Sequence, residues 1–442
     1  MTIINKDVIS VKEILSCSLS IPSYQRPYKW AAIHVNQLLD DVIKHKHKKS
    51  YRLGTVVLHK DDSQPNSNSL SIVDGQQRLL TLTLICHFLQ TSHLVSIQLL
   101  EHPFDSNISK ENLQHNAAII SSRLKQLSEA ETEELTDFLL HKCELIQVVL
   151  DDLSEAFQFF DSQNSRGKEL EPYDLLKAFH LREMESNTEI ERLACVETWE
   201  ENVEPDDESI SLHTMMGDYL FRMRKWAVRD SGKEFTREYI SIFKGVNLHQ
   251  NSYPFTAPMK ALNYQVEQYN RDPVREWDQQ SMTYPFSVDQ PMINGRRFFE
   301  YIQRYIGLYK YLFIEPKTEL AELMKVINGY TGRSRKGDHY VRNLFLCTVM
   351  FYYDKFGDAE LYKAAKLCFL WSYRIRLELN RVAIESIDNL AKKEGQLFDV
   401  IKRALCPYDV LSFTIQPVEE IKGTHITGLL GAFKEYGALK DD

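Results

Sequence analysis

Residues 69–88, SLSIVDGQQRLLTLTLICHF, drive a strand through a glycine directly into a helix. Residues 69–73 alternate polar and apolar side chains, as a short strand does, and end on Ile72 and Val73. From Gln77 onward, Leu79, Leu80, Leu82, Leu84 and Ile85 continue as a largely buried helix. Asp74-Gly75-Gln76-Gln77-Arg78 fills the junction. A helix that begins so abruptly leaves its first N–H groups without intrahelical partners, and its dipole makes their meeting point attractive to anions. A phosphate can dock there: Gly75 permits the tight turn and Arg78 offers a planar donor fork. A purely structural account uses the same residues, with Asp74 capping the helix and Arg78 paired to a surface acid.

Three further segments stand in a fixed order around this junction. Ile21-Pro22-Ser23-Tyr24-Gln25-Arg26-Pro27-Tyr28-Lys29-Trp30 precedes it, followed by Tyr51-Arg52-Leu53-Gly54-Thr55-Val56-Val57-Leu58. Downstream comes Phe160-Asp161-Ser162-Gln163-Asn164-Ser165-Arg166-Gly167-Lys168-Glu169-Leu170, then Asp174-Leu175-Leu176-Lys177-Ala178. Together the four resemble the GmrSD-type N-terminal domain family, which is built on the ParB/sulfiredoxin-like fold and carries a DGQQR signature. The motifs span roughly residues 8–185, and the resemblance extends more loosely into the helical remainder. It implies nucleotide binding or hydrolysis coupled to restriction of foreign DNA, often modified phage DNA. Sulfiredoxin chemistry itself needs a cysteine at this turn, where Gln76 and Gln77 stand instead.

A chain of 442 residues exceeds one ordinary core. The expectation is an α+β protein with two domains: a ParB/sulfiredoxin-like N-terminal domain over 1–185 and a mostly α-helical C-terminal domain over 186–442. No apolar run is long enough to span a membrane. Residues 1–15 carry charges where a signal peptide needs an apolar core, and seven scattered cysteines form no CxxC pair. These features point to a cytoplasmic protein. The net charge of −9 bears on DNA, because affinity for DNA comes largely from neutralising phosphates. Any DNA contact must use a local basic patch or come through a partner.

Taken in order, residues 8–15 have the spacing of a short helix and residues 19–24 that of a first strand. Pro27 turns the chain out of that strand. Gln25 and Arg26 stand within reach of the phosphate turn in this reading, although Arg26 equally suits stacking on Tyr24, Tyr28 or Trp30. Residues 31–43 form an amphipathic helix, 44–49 a solvated basic helix end, and 53–58 a buried strand in which Gly54 marks a close backbone approach or a bulge. Residues 61–68 are a polar hairpin loop, 103–135 are helical, and 144–150 add a strand. A helix begins at 153–160, Gly167 is placed to end it, and Pro172 suits the first turn of a helix over 173–184. The connecting turn presents Asn164, Ser165, Arg166 and Lys168. Asn164 and Arg166 are taken to complete the nucleotide site; an ordinary helix connection is the alternative. Asp174 and Lys177 lie one turn apart on the following helix, as an ion pair or as support to that site.

Beyond residue 185 the acidic run 200–208 reads as a surface loop and the proline-bearing stretch 251–292 as irregular. Phe298, Tyr301, Ile302, Tyr305, Leu308 and Leu312 fall at helical spacing and form a core stripe. Residues 340–405 read as three helices, broken at Phe356-Gly357 and near Asn380. The loop 331–340 holds Arg333, Arg335 and Lys336 between glycines and is a candidate contact for DNA or an oligomeric partner, or else a solvated loop. In related family members a His-Asn-His nuclease domain follows the helical region. His425 is the only histidine after His339 here, so a nuclease of that kind is expected on a separate partner protein.

The favoured expectation is a probable NTPase of an anti-phage restriction system, a cytoplasmic protein that uses Mg²⁺ and a nucleoside triphosphate. Gly75, Gln76, Gln77 and Arg78 grip the phosphates, and Asp74 holds the metal or orients water. Asp74 and Arg78 are the catalytic candidates. Gln25, Arg26, Asn164 and Arg166 join the binding set. Expected partners are DNA and a nuclease-bearing protein, with a homo-oligomer left open. The alternatives are a non-catalytic ParB-like DNA-binding adaptor and a ParB-like nuclease in its own right.

Overall fold

The computed structural model describes the chain except for residues 1–2, 23–24, 26, 61–68, 92–93, 105–106, 152–171, 185–186, 204–209, 251, 317 and 440–442. It divides into two units, residues 1–170 and 171–442. The protein is α+β: one small sheet near the N-terminus and a mostly helical remainder. Among the described residues, no helix is long and apolar enough to cross a membrane.

The first unit is a mixed five-stranded sheet ordered β1-β5-β3-β4-β2. Its strands are β1 (Ile3–Ser10), β2 (Leu19–Ser20), β3 (Tyr51–Lys60), β4 (Leu70–Asp74) and β5 (Cys143–Leu150). β1 runs antiparallel to β5 and β3 antiparallel to β4, while β3–β5 and β2–β4 are parallel. Helices α1 (Val11–Ser16), α2 (Ala32–His45), α3 (Gln76–Phe88), α4 (Asn107–Leu124) and α5 (Glu129–His141) complete it. Val56, Leu58, Ile72 and Leu145 join the main core with helix residues such as Leu38, Leu80 and Phe138. Their strand neighbours Val57, Val73 and Val148 form a smaller buried cluster, as period-two alternation requires.

The expected helix over 8–15 is corrected. Residues up to Ser10 belong to β1, and the helix begins only at Val11. Two forces set that boundary. The Ser10 hydroxyl accepts from the Glu13 N–H while the Glu13 carboxylate accepts from the Ser10 N–H, a reciprocal cap that stops the helix extending backward. Upstream, Val8 and Ile9 find strand partners in Ile146 and Leu145. The anticipated strands at 53–58 and 144–150 are present and slightly longer. The predicted loop 61–68 and the helix at 153–160 with its Gly167 cap lie outside the described residues.

The second unit opens with the helix Pro172–Arg182, so the structural division falls before the boundary expected after 185. His180 explains why this helix belongs there. Its side chain is fully buried and stacks on Phe298 at 3.7 Å with rings 11° apart. Its Nε2 donates to the Phe243 carbonyl at 2.9 Å, and its Nδ1 accepts from the Gly295 N–H at 3.2 Å. Both ring nitrogens are thus committed to the neutral form. The aromatic stripe of residues 298–312 is core, on the helix Arg296–Tyr309 and the π-turn Lys310–Ile314 that extends it. Breaks do fall at Gly357 and near Asn380. However, the region holds four helices, Lys336–Phe356, Leu361–Glu378, Ile384–Lys392 and Leu397–Arg403, instead of three.

Burial pushes His180 down from its ordinary value of 6.5 to about 3. The unfolded chain therefore takes up a proton below pH 6.5 that the folded chain refuses. This contribution to stability is complete above about pH 6.5 and is lost as pH falls toward 3, at up to about 1.4 kcal/mol per pH unit. Urea unfolding followed by tryptophan fluorescence should show that acid slope. His180→Gln should be less stable at neutral pH and flatter below pH 6.5; parallel slopes in the two proteins would refute the assignment.

Candidate anion-binding turn

The end of β4 and the start of α3 form the junction anticipated from the sequence. Gly75 takes the left-handed conformation at φ 94° and is the residue before the helix. The first helical bond is made by Leu79 N–H to the Gly75 carbonyl at 2.9 Å. The N–H groups of Gln76, Gln77 and Arg78 thus have no acceptor among the described residues. Thirteen aligned residues of α3 stand behind them, so the spot carries the positive end of a full dipole.

Strand β3 runs directly beneath this turn. A Cβ on Gly75 would come within 3.0 Å of the Val56 side chain, and one on Gly54 within 3.0 Å of the Arg78 guanidinium. Gly54 itself has φ 123° and sits where the β3–β5 register shifts. Of the two features expected of it as alternatives, the bulge is present; what approaches closely is the Arg78 side chain and not another stretch of backbone. The Nη1 of Arg78 donates to the Thr55 carbonyl at 3.2 Å, which fixes one arm of the fork. Burial lowers the Arg78 pKa from its ordinary value, and the Asp74 carboxylate opposes that shift. A half-buried cation of this kind gains more from an incoming anion than a solvated one does.

Asp74 accepts a hydrogen bond from the Gly75 N–H at 2.7 Å through Oδ1. Gln25 donates from Nε2 to the carbonyls of Ile72 and Val73, both at 2.8 Å, and so holds its segment against the end of β4. Gln77 is a brace. Its Oε1 accepts from the N–H groups of Lys29 (2.8 Å) and Trp30 (3.2 Å), and its Nε2 donates to the Pro27 carbonyl at 3.1 Å. What it can offer an anion is its backbone N–H. Gln76 differs: it is 5% exposed, and its Oε1 is buried with no hydrogen-bond partner among the described residues. Asp74, Gly75, Gln76, Gln77, Arg78 and Gln25 are therefore brought together around one turn. Arg26, Asn164 and Arg166 lie outside the described residues.

Sequence reasoning missed the scaffold behind this turn. The Tyr28 hydroxyl bonds Thr81 Oγ1 at 2.8 Å and accepts from Asn116 Nδ2 at 3.1 Å. Its backbone N–H donates to Ser109 Oγ, and Asn112 Nδ2 donates to its carbonyl. Asn112 and Asn116, one helical turn apart on a helix that also sends Leu113, Ala117 and Ile120 to the core, were the available signal. As to metals, no group of three or more His, Cys, Asp or Glu side chains suited to one occurs among the described residues. A lone carboxylate beside phosphate oxygens still fits Mg²⁺, which keeps several waters and takes one or two carboxylates together with its substrate.

In the second unit, the basic loop is partly structural. Arg335 is drawn inward to Asp338 (Nε–Oδ2 3.0 Å) and to the Thr424 carbonyl at 2.8 Å, leaving Arg333 and Lys336 exposed. Lys177 pairs with Glu200 at 2.8 Å.

The two glutamines should separate cleanly on mutation. Gln77→Ala strands two N–H groups and one carbonyl, at about 1–3 kcal/mol for each group left unsatisfied. The denaturation midpoint of the first unit should fall markedly. Gln76→Leu removes an oxygen that has no partner among the described residues and should leave the midpoint unchanged or raised. A large loss for Gln76→Leu, or none for Gln77→Ala, would contradict this division of roles.

No curated protein matches the chain. Residues 6–181 match the GmrSD restriction endonuclease, N-terminal domain. Residues 191–428 match a family of unknown function, DUF7834. The strand–glycine–helix turn and its cradle lie wholly within the first match. The chain therefore belongs to the DUF7834 family, whose model covers more than half of it, and carries ahead of that region a GmrSD-type N-terminal domain.

Proposed function

We propose that the turn at Gly75–Arg78 binds the phosphates of a nucleoside triphosphate, and that Mg²⁺-assisted hydrolysis there switches a restriction system acting on foreign DNA. The observation that carries this reading is the convergence of three unpaired N–H groups at the start of α3 with the Arg78 fork held against Gly54. Phosphoryl transfer depends mainly on positioning and charge stabilisation, so this small set of groups is chemically adequate. Arg78 neutralises charge on the transferred group, and Asp74 orients water or would hold Mg²⁺, which would supply further charge stabilisation to the phosphates. Asn164 and Arg166 are proposed to complete the site. DNA cleavage is proposed to fall to a separate nuclease-bearing partner.

A non-catalytic adaptor is the second reading. It is favoured by the bond from the Gly75 N–H to Asp74, which occupies one oxygen of the only carboxylate assigned to the turn.

The purified protein should bind a triphosphate and hydrolyse it slowly with Mg²⁺. Arg78→Ala should weaken binding roughly ten- to a hundredfold, the usual value of about 1.5–3 kcal/mol for a charged hydrogen bond. Asp74→Ala should abolish turnover while binding persists. Binding without turnover in the unmodified protein selects the adaptor reading, and no binding of any common triphosphate defeats both. Modified plasmid should stay intact with this chain alone and be cut when the nuclease partner is added.

A further inference from the structure

A cavity of about 510 Å³ opens in the second unit between the Ala257–Arg271 helix and the start of the Arg296–Tyr309 helix. From the first of these, Lys260, Asn263, Tyr264, Glu267, Gln268 and Arg271 line it. Their spacing of three and four puts them on one helical face. A helix on a protein surface ordinarily turns an apolar stripe inward. This one buries only Val266 and presents a polar, charged face to a hollow.

The opposite wall is built from charge. Arg296 is gripped by Glu191 at 2.8 Å, Glu300 at 3.0 Å and Glu267. Arg297, only 6% exposed, bonds Glu267 at 2.7 Å and Asn263 Oδ1 at 2.8 Å. Glu183 gathers the side-chain amides of Asn247 (3.1 Å) and Asn294 (3.2 Å). Burying such groups costs desolvation, and well-packed apolar residues of the same volume would be as stable or more so. Stability alone does not call for this wall. It fixes Glu183, which accepts those two amides through one oxygen and keeps lone pairs for an incoming donor, beside Glu191, whose second oxygen is filled by Asn187 and Thr188.

The lining also holds one aromatic ring, Tyr264, and the cations Lys260 and Arg271. Tyr264 is 66% exposed, and neither it nor Gln268 makes a side-chain hydrogen bond among the described residues. Lys260 and Arg271 stand on the same face. Outside the lining, Tyr253 and Phe255 just before the helix are exposed with rings 3° from parallel, and beyond it Trp277 is 88% exposed. Exposed rings interleaved with cations are the pattern of a base-stacking platform.

We propose that this cavity takes a single nucleotide unit: its base stacked at Tyr264, its hydrogen-bonding edge against Glu183, its phosphate between Lys260 and Arg271. The volume falls in the range of small-ligand sites, and enzymes that read extruded bases use such pockets. The same chemistry is offered by a base extruded from DNA and by a free mononucleotide. The proposal is independent of the triphosphate reading.

The test uses the full-length protein without triphosphate or Mg²⁺. One arm titrates a duplex with a single internal 2-aminopurine and reads the fluorescence rise on unstacking; the other titrates each deoxynucleoside monophosphate by calorimetry. A saturable signal is expected in at least one arm, and which arm responds identifies the source. Tyr264→Ala should weaken it about tenfold or more. Gln268→Trp, a change at an exposed position that fills the mouth, should abolish it with the circular dichroism spectrum unchanged. Silence in both arms overturns the proposal. So does a signal untouched by both variants, or one lost only in Arg78→Ala, which would belong to the N-terminal turn.

Discussion

Strand β3 and the first turn of α3 approach so closely that a Cβ on Gly54 would press on the Arg78 guanidinium and one on Gly75 on the Val56 side chain, each at 3.0 Å. The arrangement of the first unit follows from that contact. It seats the Arg78 guanidinium on the β3 backbone, and it sets where α3 starts and hence where its unpaired N–H groups meet. One residue earlier, Gln77 points its amide toward 27–30 and holds that stretch by three main-chain bonds. One turn later Thr81 takes the Tyr28 hydroxyl. The same short helix segment therefore shapes the anion spot on one side and pins the loop beside it on the other. A side chain at Gly54 would displace the arginine, and one at Gly75 would also be strained at its positive φ.

The second unit uses a different device, buried polar groups satisfied so fully that each ties several segments together. Asp338 and Arg376 are both nearly inaccessible and pair at 3.1 Å. Asp338 also takes the Tyr330 hydroxyl at 2.7 Å, and Arg376 reaches the carbonyls of Leu379 and Thr424. Breaking one partner would leave an uncompensated buried charge, so these pairs specify the fold more than they stabilise it. His180 does the same for the opening helix in its neutral form. Against this background the cavity beside Arg296 stands apart, because its network is equally elaborate yet borders open volume.

Much of this was legible in the sequence. The strand–glycine–helix junction, the strand after it at 144–150 and the aromatic core stripe at 298–312 each announce themselves by period or by a residue type with one conformational meaning. Gly54 was readable as a close backbone approach or a bulge because a glycine inside a strand has few other reasons to be there. The boundary between β1 and α1 was not read, although Ser10 and Glu13 spelled a capping box, because β-branched Val8 and Ile9 fit the helical spacing as well as a strand. Only their pairing with β5 decides between the two, and that partner lies far along the chain.

The amino-acid sequence by itself determined the local events: where the chain turns, which faces are apolar, and that a helix begins at an anion-attracting end. Tertiary structure alone decided which polar side chains are available. Gln76 and Gln77 are identical and adjacent, yet one braces three main-chain groups and the other buries an oxygen with no partner among the described residues. Arg333 and Arg335 share a loop, yet one is exposed and the other is bound to Asp338. The reason is physical. A hydrogen-bonding side chain is spent or free according to what distant segments bring within about 3 Å of it, and residue type and spacing carry no record of that distance.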